Sequence, residues 1–172
     1  DDPEAAIVGF NKALSLRPDY AEAYNNLGNT LKELGRLSDA VKSCEKAIQL
    51  RPGYAEAHNN MGNALQELGQ VREAVASYEK AIQLRPEFAE AYSNLGNSLK
   101  ELGRLSDAIK SCERAIQLSP DFNEAYANLG EVYLRQGLNK KGLRMKRFGE
   151  HIISFDTSSG INISGRKENE SN

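Results

Sequence analysis

A six-residue phrase, Tyr24-Asn-Asn-Leu-Gly-Asn29, returns along the chain at a fixed step of 34 residues. It reappears as His58-Asn-Asn-Met-Gly-Asn63, Tyr92-Ser-Asn-Leu-Gly-Asn97 and Tyr126-Ala-Asn-Leu-Gly-Glu131, and Pro18, Pro52, Pro86 and Pro120 keep the same interval. Residues 21–54 and 89–122 differ at only 7 of 34 positions. A period of this size marks a repeat array, in which one unit cannot bury its apolar face alone and must stack on its neighbours. A single central core is thereby excluded, and cooperative folding needs several units.

The chemistry of one unit accounts for the period. In residues 21–54, Tyr24, Leu27, Gly28 and Leu31 fall at i, i+3, i+4 and i+7, which gathers them on one helical face. Gly35 follows Leu34, where a left-handed helix end is least costly without a Cβ, so the chain turns there. Leu37, Ala40, Val41, Cys44, Ala47 and Ile48 make a second amphipathic helix. Pro52 cannot prolong it, so it finishes near Leu50. The unit is a helical hairpin. Asp19 with Glu22, and Asp121 with Glu124, have the spacing of a capping box at the start of the first helix.

Tyr24, Leu27, Gly28, Ala40 and Pro52 match the signature of the tetratricopeptide repeat, which this chain resembles over residues 1 to about 149. Leu31 and Cys44 stand where that family usually sets aromatic residues, which implies tighter packing within the same architecture. The resemblance implies an all-α, right-handed superhelix, an α–α solenoid. Residues 1–20 are read as a partial repeat that keeps only its second helix. Residues 21–54, 55–88 and 89–122 are full repeats, and 123–149 form a degenerate, capping one. In that last unit Gly142 and Lys146 replace Ala40 and Cys44, and a lysine suits an end that meets water.

Residues 150–164 change period. Ile153 and Phe155, then Ile161 and Ile163, alternate with polar residues across Thr157-Ser-Ser-Gly160, the pattern of a short C-terminal β-hairpin extension. Residues 165–172 are polar and read as a disordered tail.

The net charge of −2 conceals an acidic array, with 15 Lys/Arg against 20 Asp/Glu in residues 1–137, and a basic remainder with 7 against 4. The array has no concentrated basic face of the kind that reads nucleic acid. No apolar stretch has the length of a membrane span and no signal peptide is visible, so a cytoplasmic chain is expected. The basic helix of Lys140, Lys141, Arg144, Lys146 and Arg147 is read as a solvated cap with charges suited to a helix C-terminus. Cys44 and Cys112 occupy the same place two repeats apart. Helices stack at roughly 8–10 Å, too far over four steps for the roughly 4.4–6.8 Å Cα span of a disulfide. Reduced core thiols are expected. His58 takes a packing position as a core residue with one hydrogen bond, and no metal or cofactor site shows ligand spacing.

The helix faces left free by packing carry Asn25, Asn26, Asn29, Lys32 and Glu33, then Asn59, Asn60, Asn63, Gln66 and Glu67, then Ser93, Asn94, Asn97, Lys100 and Glu101. By the family resemblance these line the concave side. The row Asn26, Asn60, Asn94, Asn128 is similar to the asparagine ladder in the repeat arm of O-linked N-acetylglucosamine transferases, which holds the main chain of an extended polypeptide. A carboxamide both donates and accepts, so it can pair with a peptide bond whatever side chains the guest carries. The expected function is a scaffold without catalysis that binds protein or peptide segments. Its contact residues are Asn25, Asn26, Asn29, Lys32, Asn59, Asn60, Asn63, Asn94, Asn97, Lys100 and Asn128. The alternative is the substrate-recruiting arm of a larger enzyme such as a glycosyltransferase.

A row of carboxylates, Glu22, Glu56, Glu90 and Glu124, admits both a structural reading and an acidic rim for basic ligands. Glu22, Glu56, Asn25 and Asn60 stand where the heat-shock-protein-binding subfamily sets Lys and Arg, which disfavours capture of a terminal carboxylate. Self-association through the incomplete N-terminal repeat, with Ile7 and Phe10 uncovered, is a further expected contact. Replacing Asn26, Asn60 and Asn94 by alanine is expected to weaken peptide binding and leave melting nearly unchanged.

Overall fold

In a computed structural model that describes residues 2–149, 154–156 and 160–162, the 34-residue period resolves into helical hairpins. α1 (Pro3–Leu16) is a lone second helix. It is followed by four pairs: α2 (Ala21–Glu33) with α3 (Leu37–Leu50), α4 (Ala55–Glu67) with α5 (Val71–Leu84), α6 (Ala89–Glu101) with α7 (Leu105–Leu118), and α8 (Asn123–Arg135) with α9 (Asn139–Gly149). Each helix packs chiefly on its hairpin partner, and each second helix then meets the first helix of the next pair. The architecture is an all-helical solenoid. In the stretch 150–164, β1 (Ser154–Asp156) and β2 (Gly160–Asn162) pair antiparallel, with Phe155 opposite Ile161. The remainder of that stretch and the tail 165–172 lie outside the described residues.

The hairpin turns follow from one glycine per unit. Gly35 has φ +72°, with counterparts at Gly69, Gly103 and Gly137. The Gly35 N–H donates to the Lys32 carbonyl and the Arg36 N–H to the Leu31 carbonyl, both at 2.8 Å. Nested bonds of this kind satisfy the last carbonyls of the helix and reverse the chain within the three residues between α2 and α3. The N-termini differ from expectation. Helices α2 and α8 begin at Ala21 and Asn123 behind Tyr20 and Phe122, and neither has a side-chain cap. The turn after Arg17, closed by Tyr20 N–H to the Arg17 carbonyl at 3.2 Å, places Asp19 one residue too early to serve as cap. Asp121 instead accepts from the Ser119 hydroxyl at 2.9 Å.

Apolar burial is distributed along the stack. One cluster joins Ile7, Leu14, Leu27, Leu31 and Ala64, another joins Leu65, Tyr78, Leu95, Leu99 and Val132, and a third holds Cys112, Leu129 and Tyr133. All three straddle hairpin boundaries, so each unit is stabilised largely by its neighbours. Close approach within a hairpin depends on the glycine of the Leu-Gly pair. A Cβ on Gly28 would lie 2.6 Å from Cys44 Sγ, and one on Gly62 would lie 2.6 Å from the Tyr78 ring. Residue 44 and its equivalents therefore press on their own partner helix, and Cys112 also meets Leu129 and Tyr133 of the next hairpin. At the equivalent place in the last pair, the aliphatic stem of Lys146 lies over Gly130 while its ammonium reaches Glu131 at 3.9 Å. The stem packs and the charge emerges.

The two thiols are unpaired and fully buried, and burial pushes each up to about 12. Thiolate is then scarce at neutral pH. Ellman's reagent is expected to leave Cys44 and Cys112 unlabelled in the native protein and to count both after denaturation; prompt native labelling would contradict the packing described. His58 is buried, yet neither ring nitrogen meets a hydrogen-bond partner, where one bond was expected. Ile7, expected to be uncovered, is buried at 7% in the first cluster, whereas on α1 Val8 and Leu16 are 69% and 77% exposed and Ala6, Phe10 and Ala13 are only partly covered.

Candidate functional site

The first helices of successive hairpins touch directly, α2 with α4, α4 with α6 and α6 with α8, whereas among the described residues second helices make no comparable contacts with one another. The stack is tighter on the side of the first helices, which therefore form its inner wall. On this wall opens a concavity of about 730 Å³ that runs from Lys32 of the first hairpin to Glu124 of the fourth. Of the candidate contact residues, Lys32, Asn63, Asn94 and Asn97 line it.

The asparagines form two rows with different duties. Asn25 and Asn59 are buried and act as receivers between hairpins: Asn60 Nδ2 donates to Asn25 Oδ1 at 2.9 Å and Asn94 Nδ2 to Asn59 Oδ1 at 3.1 Å. Asn128 Nδ2 donates to Ser93 Oγ at 3.0 Å, which continues the pattern. Asn59 also donates to Glu90 Oε1 at 3.0 Å. The ladder residues Asn60, Asn94 and Asn128 thus tie each hairpin to the one before. Each such bond contributes about 0.5–1.5 kcal/mol. Replacing Asn26, Asn60 and Asn94 together is consequently a perturbation of folding as well as of binding, contrary to the sequence expectation. Asn26 is exposed, and Asn29 donates along its own helix to Glu33 at 2.9 Å. Asn63 accepts from Asn94 at 3.0 Å and from the Tyr78 hydroxyl at 2.8 Å. Asn97 lines the concavity half-buried, with no described partner for its carboxamide.

The lysines also diverge. Lys32 stays near the rim, 3.8 Å from Glu67. Lys100 is buried and turned into the array, where it pairs with Glu131 at 2.5 Å. Glu131 replaces the asparagine of the earlier units, and its carboxylate draws the ammonium inward; in return the Lys100 hydrogen bond holds Glu131 below the usual carboxylate range. Asn25, Asn59 and Lys100 therefore shape the wall from behind.

The carboxylate row is half neutralised. Arg51 pairs with Glu22 and Arg85 with Glu56, each bridging the two ends of one hairpin. The Arg51 hydrogen bond holds Glu22 below its ordinary value. Burial raises Glu56, but the Arg85 hydrogen bond and charge more than offset it. Glu90 and Glu124 line the concavity with Glu67 and Glu101, and among the described residues neither Glu90 nor Glu124 has an ion-pair partner. The lining also includes Gln66, which the repeat pattern puts on the concave side, and Tyr78, Ser119 and Phe122, which it does not. The signal that could have found Ser119 and Phe122 is the serine itself, which breaks the series Arg17, Arg51, Arg85. Among the described residues no group of His, Cys, Asp and Glu is placed to hold a metal ion, and no helix is long and apolar enough to cross a membrane.

Comparison with known proteins follows the same lines. Family models described as "TPR repeat" match residues 2–35, 62–103 and 96–137, and models described as "Tetratricopeptide repeat" match 21–54 and 43–76. Among solved structures, a crystal structure of MamA is 29% identical, with a TM-score of 0.76 over 87% of this chain and 88% of that one. MamA 41-end from Desulfovibrio magneticus RS-1 is 23% identical, with a TM-score of 0.76 over 87% and 84%. The thermophilic TPR protein TTC0263 of Thermus thermophilus is 24% identical, with a TM-score of 0.74 over 83% and 79%. These last two share the fold. No curated protein matches the sequence.

Proposed function

Because the chain belongs to the tetratricopeptide repeat family, we propose that this protein-interaction scaffold takes an extended polypeptide along the inner wall of a right-handed superhelix. The observation that carries the reading is the open concavity of about 730 Å³ on the first helices, where free carboxamide and carboxylate groups meet solvent together. Its mouth is polar, with no deep apolar slot, which suits main-chain and charged groups better than a buried hydrophobic anchor. Association costs an estimated 4–15 kcal/mol before any surplus appears. A few carboxamide bonds therefore need side-chain contacts beside them, and the carboxylates Glu90, Glu101 and Glu124 are at hand to supply them.

Asn97 is the clean probe, because it lines the concavity and holds no hairpin in place. A peptide array on the intact protein selects binders, and Asn97→Ala is expected to weaken them by about two- to tenfold, the worth of one hydrogen bond. Ellipticity and melting should stay as in the parent. An array without signal above background, or equal affinity in the variant, would remove the groove from the account.

A further inference from the structure

We propose that the boundary between the third and fourth hairpins is a seat for the guanidinium of an arginine in the bound polypeptide, formed by Glu90, Glu124 and the face of Phe122. This rests on reading the concavity as a polypeptide groove.

The earlier boundaries show how such a seat is filled. Arg17 lies over the ring of Tyr20 at 4.4 Å, Arg51 over Tyr54 at 4.8 Å and Arg85 over Phe88 at 4.5 Å. Arg51 and Arg85 also donate to the carboxylate behind them, Glu22 and Glu56, and Arg51 feels the charge of Glu56 ahead. At Arg51 one guanidinium thus has a carboxylate, an aromatic face and a second carboxylate around it, and Arg85 repeats the first two. At the next boundary the carboxylates are Glu90 and Glu124 and the ring is Phe122, but residue 119 is serine, one of the positions that distinguish two nearly identical repeats. Its side chain is too short to reach, and its hydroxyl turns to Asp121. Among the described residues no cation stacks on Phe122 or pairs with Glu90.

Glu90, Ser119, Phe122 and Glu124 all line the concavity, so this seat opens onto the groove where its counterparts are closed by the chain's own arginines. Glu101, held by Gln66 at 2.9 Å, adds to the negative field there. Arginine fits better than lysine because a planar guanidinium can stack on a ring and present N–H groups edge-on to a carboxylate at once. Over a neutral side chain of the same shape, one stacking contact and one exposed ion pair give a preference of about five- to tenfold, and salt reduces it.

The test compares a short labelled peptide of alanine, serine and glutamine carrying one central arginine with its citrulline twin, by fluorescence anisotropy. The arginine peptide is expected to bind tighter by that factor. Ser119→Arg places the chain's own guanidinium in the seat, as at residues 51 and 85, and should bring the ratio close to one; Glu90→Gln should also lower it. Equal binding of the two peptides to the parent protein overturns the seat and leaves the groove standing. If neither peptide binds, the groove reading fails, and N-acetyl-arginine methylamide decides the seat separately. Amide shifts confined to residues 89–91 and 119–124, lost in Ser119→Arg, support it, and their absence overturns it.

Discussion

Tyr78→Ala is expected to destabilise the array by about 3–5 kcal/mol, the range for deleting a buried aromatic ring. Tyr78 is fully buried in the middle hairpin, with its ring against Gly62 and its hydroxyl reaching Asn63 at 2.8 Å and Gln66 at 3.2 Å. Both partners belong to the inner wall, and Asn63 in turn accepts from Asn94 of the next hairpin. The ring fills space between α4 and α5 while the hydroxyl anchors the polar network above it. Because stability in a solenoid is nearly a sum of unit and boundary contributions, a loss at the centre also uncouples the two ends. Urea denaturation followed by circular dichroism should show a lower midpoint and a broader transition. Tyr78→Phe keeps the ring and should cost only about 1 kcal/mol, the worth of the hydrogen bond. Tyr78→Cys, copying Cys44 and Cys112, should fall between the two. A Tyr78→Ala protein as stable as Tyr78→Phe would show that the ring is not what holds the middle hairpin closed.

Much of this architecture is legible in the residue spacing, because a 3.6-residue period and one glycine per turn determine where helices start, pack and stop. Gly35 and Leu50 end their helices where the pattern puts them. The asparagines are harder. Asn25 and Asn26 are adjacent, about 100° apart on the helix, and both lie off the apolar stripe. Only the angle at which one hairpin stacks on the next decides that Asn25 is covered and Asn26 exposed, and sequence does not state that angle. Lys100 and Lys32 share a repeat position, yet Glu131, one unit on, turns Lys100 inward. The Asp19 and Glu22 spacing makes a capping box only if the helix begins at residue 20, and the tight turn after Pro18, which starts it at residue 21, decides against it. The arginine-on-ring contacts were invisible for another reason: residues 51 and 54 are read as a loop, where periodicity carries no information.

His58→Tyr, which restores the residue of the other three repeats, is expected to stabilise the protein and to remove a loss of stability on mild acidification. At neutral pH the gain is about 1 kcal/mol, the lower end of the cost of an orphaned buried polar group. The ring is buried with neither nitrogen hydrogen-bonded, and burial holds its pKa below the ordinary 6.5. Lys80 pushes the same way, and the Pro52 carbonyl, too poorly placed for a hydrogen bond, opposes them only in part. When the native pKa is the lower one, the unfolded chain takes up the proton first. Stability is then intact above pH 6.5 and declines as pH falls below it, until the native ring also protonates. Glu22, Glu56 and Glu131, all held below 4.5, carry the same sign but contribute only under more acid conditions. The interval between those two values therefore isolates the imidazole. Urea midpoints measured at close pH steps should fall further for the parent than for His58→Tyr as the solution becomes more acid, the difference widening below pH 6.5. Parallel curves for the two proteins would mean that the ring is solvated in solution, and the middle hairpin would then have to be looser around α4 than the packing of Tyr78 allows.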